Sequence, residues 1–200
     1  MPIEAMRSVL GVNGDTIWKR SNGIDNTPVI AFSERKSIST ERTFDKDTID
    51  IHKLRNILVA MTENLCFQLR RGNKLTACVA VKIRFSDFNT YTKQLKIPYT
   101  STDHILIPQI LELFEKLYQK RLLVRLIGIR FSHLVSGNYQ INMFEDSERQ
   151  LNLYKALDHI RERYGDRSVI RAVAMGAKTI GRMHNPFNGQ PPVVLAHRKQ

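Results

Sequence analysis

Between residues 51 and 85 the apolar residues of this chain change their period. Ile51, Leu54, Leu58, Met61, Leu65 and Leu69 recur at spacings of three and four, which puts them on one face of a helix. Asp47 or Asp50 can cap its start. Arg70 and Arg71 complement the negative end of its dipole, and Gly72 offers a left-handed stop. From Leu75 to Phe85 the pattern alternates instead. Ala77, Val79, Val81, Ile83 and Phe85 point one way, and Cys78, Ala80, Lys82 and Arg84 point the other. A helix with one apolar stripe followed at once by a strand with one apolar face calls for a helix packed on a sheet.

The surrounding segments extend that unit. Ser37 to Phe44 is rich in β-branched residues and hydroxyls and suits a polar strand. A turn around Asp87 to Thr90 leads to a returning strand, Thr92 to Tyr99. Asp103 and Pro108 mark another helix, with Ile110, Leu111, Phe114, Leu117 and Tyr118 inward. Leu122 to Phe131 is a last strand, nearly all apolar but carrying Arg125 and Arg130. The order strand, helix, strand, strand, helix, strand predicts an α+β fold of the split βαβ, ferredoxin-like kind (βαββαβ). It has an antiparallel sheet, two helices on one face and further helices flanking it. The other sheet face stays free, and alternation sends Lys82, Arg84 and Arg130 to it.

The flanks divide as follows. Residues 1–25 read as helical, with Pro2 in a first turn, a break at Asn13-Gly14, and Ile17 and Trp18 able to dock across it. Residues 26–36 are a polar linker and 37–138 the domain itself. Residues 139–145 form a short segment. Residues 146–165 make a helix opened by a Ser147/Gln150 capping box and closed by Gly165, with Leu153, Leu157, Ile160 and Tyr164 as its apolar stripe. Residues 166–200 are a basic, weakly patterned tail, expected to be partly disordered.

Lys and Arg number 31 against 19 acids, a formal charge of +12. A surplus of that size on a chain this small is the footprint of a polyanion partner. No run of about 18 apolar residues exists to cross a bilayer, and no signal-peptide pattern opens the chain. A cytoplasmic protein without a membrane partner is expected. Cys66 and Cys78 read as reduced, small apolar residues, and the scattered histidines lack metal-ligand spacing.

Several phrases, in this order, resemble the Y-family translesion DNA polymerases of the DinB/UmuC group. Lys36-Ser37-Ile38-Ser39-Thr40-Glu41-Arg42-Thr43-Phe44 looks like the entry to their little-finger domain. Lys82-Ile83-Arg84-Phe85-Ser86-Asp87-Phe88 looks like its second strand, and Val124 to Ser132 (Val-Arg-Leu-Ile-Gly-Ile-Arg-Phe-Ser) its last. Leu157-Asp158-His159-Ile160-Arg161-Glu162-Arg163-Tyr164-Gly165 is similar to a helix that follows in some members. Gly11-Val12-Asn13-Gly14 and Ser21-Asn22-Gly23-Ile24-Asp25 look like the last part of the family's thumb.

The resemblance implies the end of a thumb plus a little finger, the part of an error-prone, damage-tolerant polymerase that grips primer-template DNA. In the family the chemistry belongs to a palm whose carboxylates hold magnesium. No residue here corresponds to one of them, so no catalytic residue, metal ligand or cofactor is expected in this chain, which should be inactive alone. The missing palm and fingers of the parent enzyme would be its partners. The expected DNA-binding residues are Ser37, Ser39, Thr40, Arg42 and Thr43 on the first strand, Lys82, Arg84 and Ser86 on the second, and Arg130 and Ser132 on the last. Gly128 would let backbone approach the nucleic acid.

Gln140-Ile141-Asn142-Met143-Phe144 is similar to the peptides with which bacterial polymerases dock on the sliding clamp: a polar lead and two bulky anchors that fill a groove. A second match, Gln150-Leu151-Asn152-Leu153-Tyr154, falls inside the predicted helix, where Leu153 would serve as helix core. Two other readings remain open here. One is a stand-alone ferredoxin-like nucleic-acid-binding protein, working on RNA or as an architectural factor. The other is a non-catalytic, clamp-binding regulatory subunit. Outward strand positions bearing Lys, Arg and hydroxyls rather than aromatic residues favour backbone contact over base stacking.

Overall fold

The computed structural model describes residues 2–29, 34–119, 122–137, 147–166 and 168–175, in two compact units, Met1–Glu34 and Arg35–Gln200. The first unit is a pair of helices, α1 (Ile3–Leu10) and α2 (Val12–Ser21). They part at Gly11, whose φ of 59° with ψ of −141° only glycine adopts easily, and not at Asn13-Gly14. Pro2 stands just outside α1 as its cap residue. Arg7 clasps Asp15 through two hydrogen bonds of 2.9 and 2.8 Å. Ile17 is exposed, and no residue of α1 is buried.

In the second unit, β1 (Ser37–Thr48) leads into α3 (Ile51–Arg71), then β2 (Lys74–Phe85), β3 (Thr90–Thr100), α4 (Asp103–Leu117) and β4 (Val124–Ser136). Asp50 caps α3, its carboxylate accepting the Lys53 N–H at 3.0 Å. After α3, Gly72 keeps a φ of −86°, and Asn73 takes the left-handed position at 47° instead. Asparagine tolerates that region because its side chain is short and polar.

The strands form one antiparallel sheet in the order β1-β4-β2-β3. Each βαβ unit is split by a strand of the other: β4 lies between β1 and β2, and β2 between β3 and β4. The second and fourth strands therefore take the middle, which explains why β2 and β4 are the most apolar. Val79, Val81, Ile83 and Phe85 of β2 and Val124, Ile127, Ile129 and Phe131 of β4 meet Leu54, Leu58, Met61, Leu65 and Leu69 of α3. Leu106, Ile110, Leu113 and Phe114 of α4 complete one core on one side of the sheet. Cys66 lies in that core, while Cys78 is buried among its strand neighbours.

A last helix, α5 (Ser147–Tyr164), packs on the outside of α3, rotated from the expected orientation so that Leu157 alone of the anticipated stripe is half-buried. Leu153, Ile160 and Tyr164 of the anticipated stripe are exposed, whereas Tyr154 and Arg161 are buried. The cause lies on the partner surface. Arg70, near the end of α3, is largely withdrawn from water and needs acceptors. It finds Asp158 at 2.5 and 2.9 Å, Asp103 at 2.7 Å and the Ser101 carbonyl at 2.9 Å. The Tyr154 ring lies 4.8 Å below the same guanidinium, and its hydroxyl accepts the His104 N–H at 3.1 Å. Arg161 covers Phe67 and donates to the Val169 carbonyl. Beyond α5, Arg171 reaches Glu63 of α3 at 2.8 Å.

Candidate nucleic-acid interface

The pairing register maps the sheet face that carries neither α3 nor α4. Reading across β1, β4, β2 and β3, the rows are Ser37–Ser132–Cys78–Lys96, Ser39–Arg130–Ala80–Gln94, Glu41–Gly128–Lys82–Thr92 and Thr43–Leu126–Arg84–Thr90. Four cations, Arg130, Lys82, Arg84 and Lys96, stand among hydroxyls and amides, against one carboxylate, Glu41. No row contains an aromatic ring. Cys78, Ala80 and Leu126 are buried yet lie outside the core cluster, as residues on the opposite face should.

Of the residues expected to touch DNA, Ser37, Ser39, Thr43, Lys82, Arg84, Arg130 and Ser132 share this face. Ser86 is exposed just past the end of β2, where its N–H donates to the Leu123 carbonyl. Thr40 and Arg42 do not belong with them. They pair with Ile129 and Ile127, which point into the core, so strand alternation turns both toward the helix side. The Arg42 guanidinium accordingly lies 5.9 Å from the Phe44 ring centroid. The outward residues of β3, namely Thr90, Thr92, Gln94 and Lys96, were missed. Their alternation was legible, but which edge of which strand they would extend depends on the strand order.

Gly128 lies in the third of these rows, between Glu41 and Lys82. The space above it is taken by Glu41: a Cβ on Gly128 would stand 2.8 Å from Glu41 Cγ and 3.4 Å from the Thr40 carbonyl oxygen. Glu41 uses this gap to cross β4 and bind Lys82 Nζ at 2.9 and 3.1 Å. Arg84 Nε donates to Thr90 Oγ1 at 2.8 Å, which holds its stem along the sheet. At the end of the sheet Phe88, with φ of 63°, lies exposed under Arg125 at 4.7 Å.

The segment Gln140–Phe144 lies outside the described residues. The second match is helical, as expected, but Leu153 is exposed and Tyr154 is the buried member. Among the described residues no group of three or more His, Cys, Asp or Glu could hold a metal ion, and no helix is long and apolar enough to cross a membrane.

Residues 35–143 match the impB/mucB/samB family C-terminal domain. The chain belongs to that family. The domain takes in the whole sheet with α3 and α4, and membership bears out the Y-family resemblance carried by the strand phrases. The chain is 35% identical over 179 residues to the DNA polymerase IV of Clostridium acetobutylicum, covering 86% of this chain and 45% of that protein. It is 34% identical over 171 residues to the DNA polymerase IV of Dehalococcoides mccartyi, covering 84% of this chain and 44% of that one. The DNA polymerase IV 2 of Bacillus subtilis is 29% identical over 185 residues, which is 88% of this chain and 44% of the relative. The chain thus spans less than half the length of these relatives, and the open sheet face is a feature of the part shared with a DNA polymerase's C-terminal domain.

Proposed function

We propose that this chain is the DNA-gripping, little-finger portion of an error-prone translesion polymerase working in DNA repair and damage tolerance. It would hold primer-template duplex by its backbone, without reading sequence. The observation that supports this is the composition of the open face: Arg130, Lys82, Arg84 and Lys96 set among hydroxyls at strand spacing, with no aromatic platform. Cations and hydroxyls serve phosphate oxygens, and phosphate contacts position a protein on any sequence. Base stacking on single-stranded RNA would need rings that the rows lack. On this reading the phosphoryl transfer and its magnesium ions belong to a palm domain, and this chain alone grips without polymerising.

The test is fluorescence anisotropy of the chain on labelled primer-template duplex, single-stranded DNA and RNA over a salt series, beside Arg84→Ala/Arg130→Ala. Sequence-indifferent duplex binding that weakens steeply with salt is expected, with the double substitution flattening the log-log slope by about two. A clear preference for RNA, or no duplex binding at low salt, would overturn the reading.

The same proposal gives the chain a second contact, in the cytoplasm of a bacterial cell: Gln140, Ile141, Asn142, Met143 and Phe144 as a peptide for the sliding clamp. Its support is the sequence pattern and its place a few residues beyond the end of β4. Met143→Ala/Phe144→Ala should abolish clamp binding in surface plasmon resonance while leaving duplex affinity unchanged.

A further inference from the structure

The four paired rows of the open face carry one acidic residue, and the sheet is built to admit it. Glu41 on β1 and Lys82 on β2 are not neighbours: β4 runs between them, so their backbones are about 10 Å apart. A side chain at position 128 would fill the intervening groove. Glycine leaves it open, the Glu41 stem lies in it, and both carboxylate oxygens reach Lys82 Nζ, at 2.9 and 3.1 Å. The pair is solvent-accessible, with side-chain exposures of 44% for Glu41 and 31% for Lys82. It is therefore screened by salt and easily exchanged for another anion.

That exchange has a consequence for a polyanion. Arg130 and Lys96 present their charges outward, but Lys82, near the middle of the face, is already satisfied by a carboxylate. A phosphate can take Lys82 only by displacing Glu41, and the displaced carboxylate stays beside it on the same face. We infer that Glu41 is a built-in competitor for DNA phosphate: it holds Lys82 in reserve and limits how tightly and how long the face grips duplex. The inference rests on the DNA-gripping reading and names a residue that regulates that same surface. A grip weakened at its centre suits a protein that must shift along its template, since affinity at a fixed interface is set mainly by the rate of release.

The experiment uses Glu41→Gln in the full chain, which keeps the stem over Gly128 and removes only the charge; Glu41→Ala serves as a second variant. Duplex affinity at low salt should rise about three- to tenfold, with slower dissociation and a log-log salt slope steeper by about one. Lys82→Gln should erase the gain, so that Glu41→Gln/Lys82→Gln binds no more tightly than Lys82→Gln alone. Arg84→Ala/Arg130→Ala is measured alongside. If that pair weakens binding while both Glu41 variants bind like wild type, Glu41 is no competitor and the gripping face stands. If none of the variants alters binding, the gripping face itself is wrong.

Discussion

Arg70 and Asp158, 88 residues apart in sequence, meet through two hydrogen bonds of 2.5 and 2.9 Å. Their side chains are 12% and 16% exposed, so the pair lies largely out of water. Burial works against the Arg70 charge, and the Asp158 and Asp103 carboxylates outweigh it, holding its pKa above the ordinary guanidinium value. Asp158→Ala leaves the guanidinium with Asp103 and the Ser101 carbonyl alone. Breaking one side of a buried pair should cost about 3 kcal/mol and release α5 from α3. Chemical denaturation, with limited proteolysis directed at α5, checks both effects; unchanged protection of α5 would mean that something else docks it.

The orientation of α5 can be tested independently. Leu153 is exposed and Tyr154 buried, the opposite of what the apolar stripe suggested. Leu153→Lys should therefore change stability by no more than about 0.5 kcal/mol. Tyr154→Phe removes the hydroxyl that meets His104 at its N–H and at Nδ1, 3.1 and 3.0 Å away, and should cost about 1 kcal/mol. Thermal melts of both variants decide the matter, and a large loss for Leu153→Lys would show that the helix faces the other way.

These two elements show where sequence reading works and where it stops. Leu54, Leu58, Met61, Leu65 and Leu69 were legible because an apolar sheet covers them, and water exclusion follows hydrophobic period. In α5 the covering surface is a buried arginine with its acceptors, so the polar side turned inward; no single helix reveals what its neighbour carries. The free sheet face was legible from alternation for Lys82, Arg84 and Arg130. Thr40 and Arg42 share a phrase with Ser39 and Thr43 but not a face, because alternate residues of a strand point to opposite sides of the sheet. The left-handed residue after α3 went to Asn73 rather than Gly72, since both types tolerate that conformation and the spacing to β2 chooses between them.

Alternation makes a sharp prediction about β1 and β4. Arg130 is exposed on the open face, whereas Arg42 sits against Phe44 on the helix side. Arg130→Ala should reduce the salt dependence of duplex binding by about one in the log-log slope, and Arg42→Ala should leave it unchanged. Anisotropy titrations of the two variants make the comparison. An equal loss from Arg42→Ala would mean that DNA wraps onto the helix side as well.

Gly128 is constrained by its neighbour strand rather than by its own backbone angle. An added Cβ meets Glu41 Cγ at 2.8 Å, which the flexible stem can relieve, and the Thr40 carbonyl oxygen at 3.4 Å, which is only ordinary contact. Gly128→Ala should therefore displace Glu41 from Lys82 and cost about 1 kcal/mol. Adding Glu41→Ala should recover most of it, a coupling that a double-mutant cycle in urea measures. Additive effects would place the cost in the backbone instead.

Glu63 supplies the pH prediction. Its carboxyl is 7% exposed on α3, and burial raises its pKa above the ordinary 4.5, an effect that Arg171 at 2.8 Å only partly offsets. For an acid whose folded-state pKa lies above the unfolded one, the contribution to stability is full below the unfolded value. It is lost as pH rises through the folded value. As pH falls, wild type takes up a proton at Glu63 and loses its poorly solvated charge, while Glu63→Gln is neutral throughout. The melting temperature of wild type minus that of Glu63→Gln should increase as pH falls from about 7 to about 4, following the linkage between proton uptake and folding. A difference that shrinks over that range would mean that the Arg171 ion pair, not burial, governs this carboxylate.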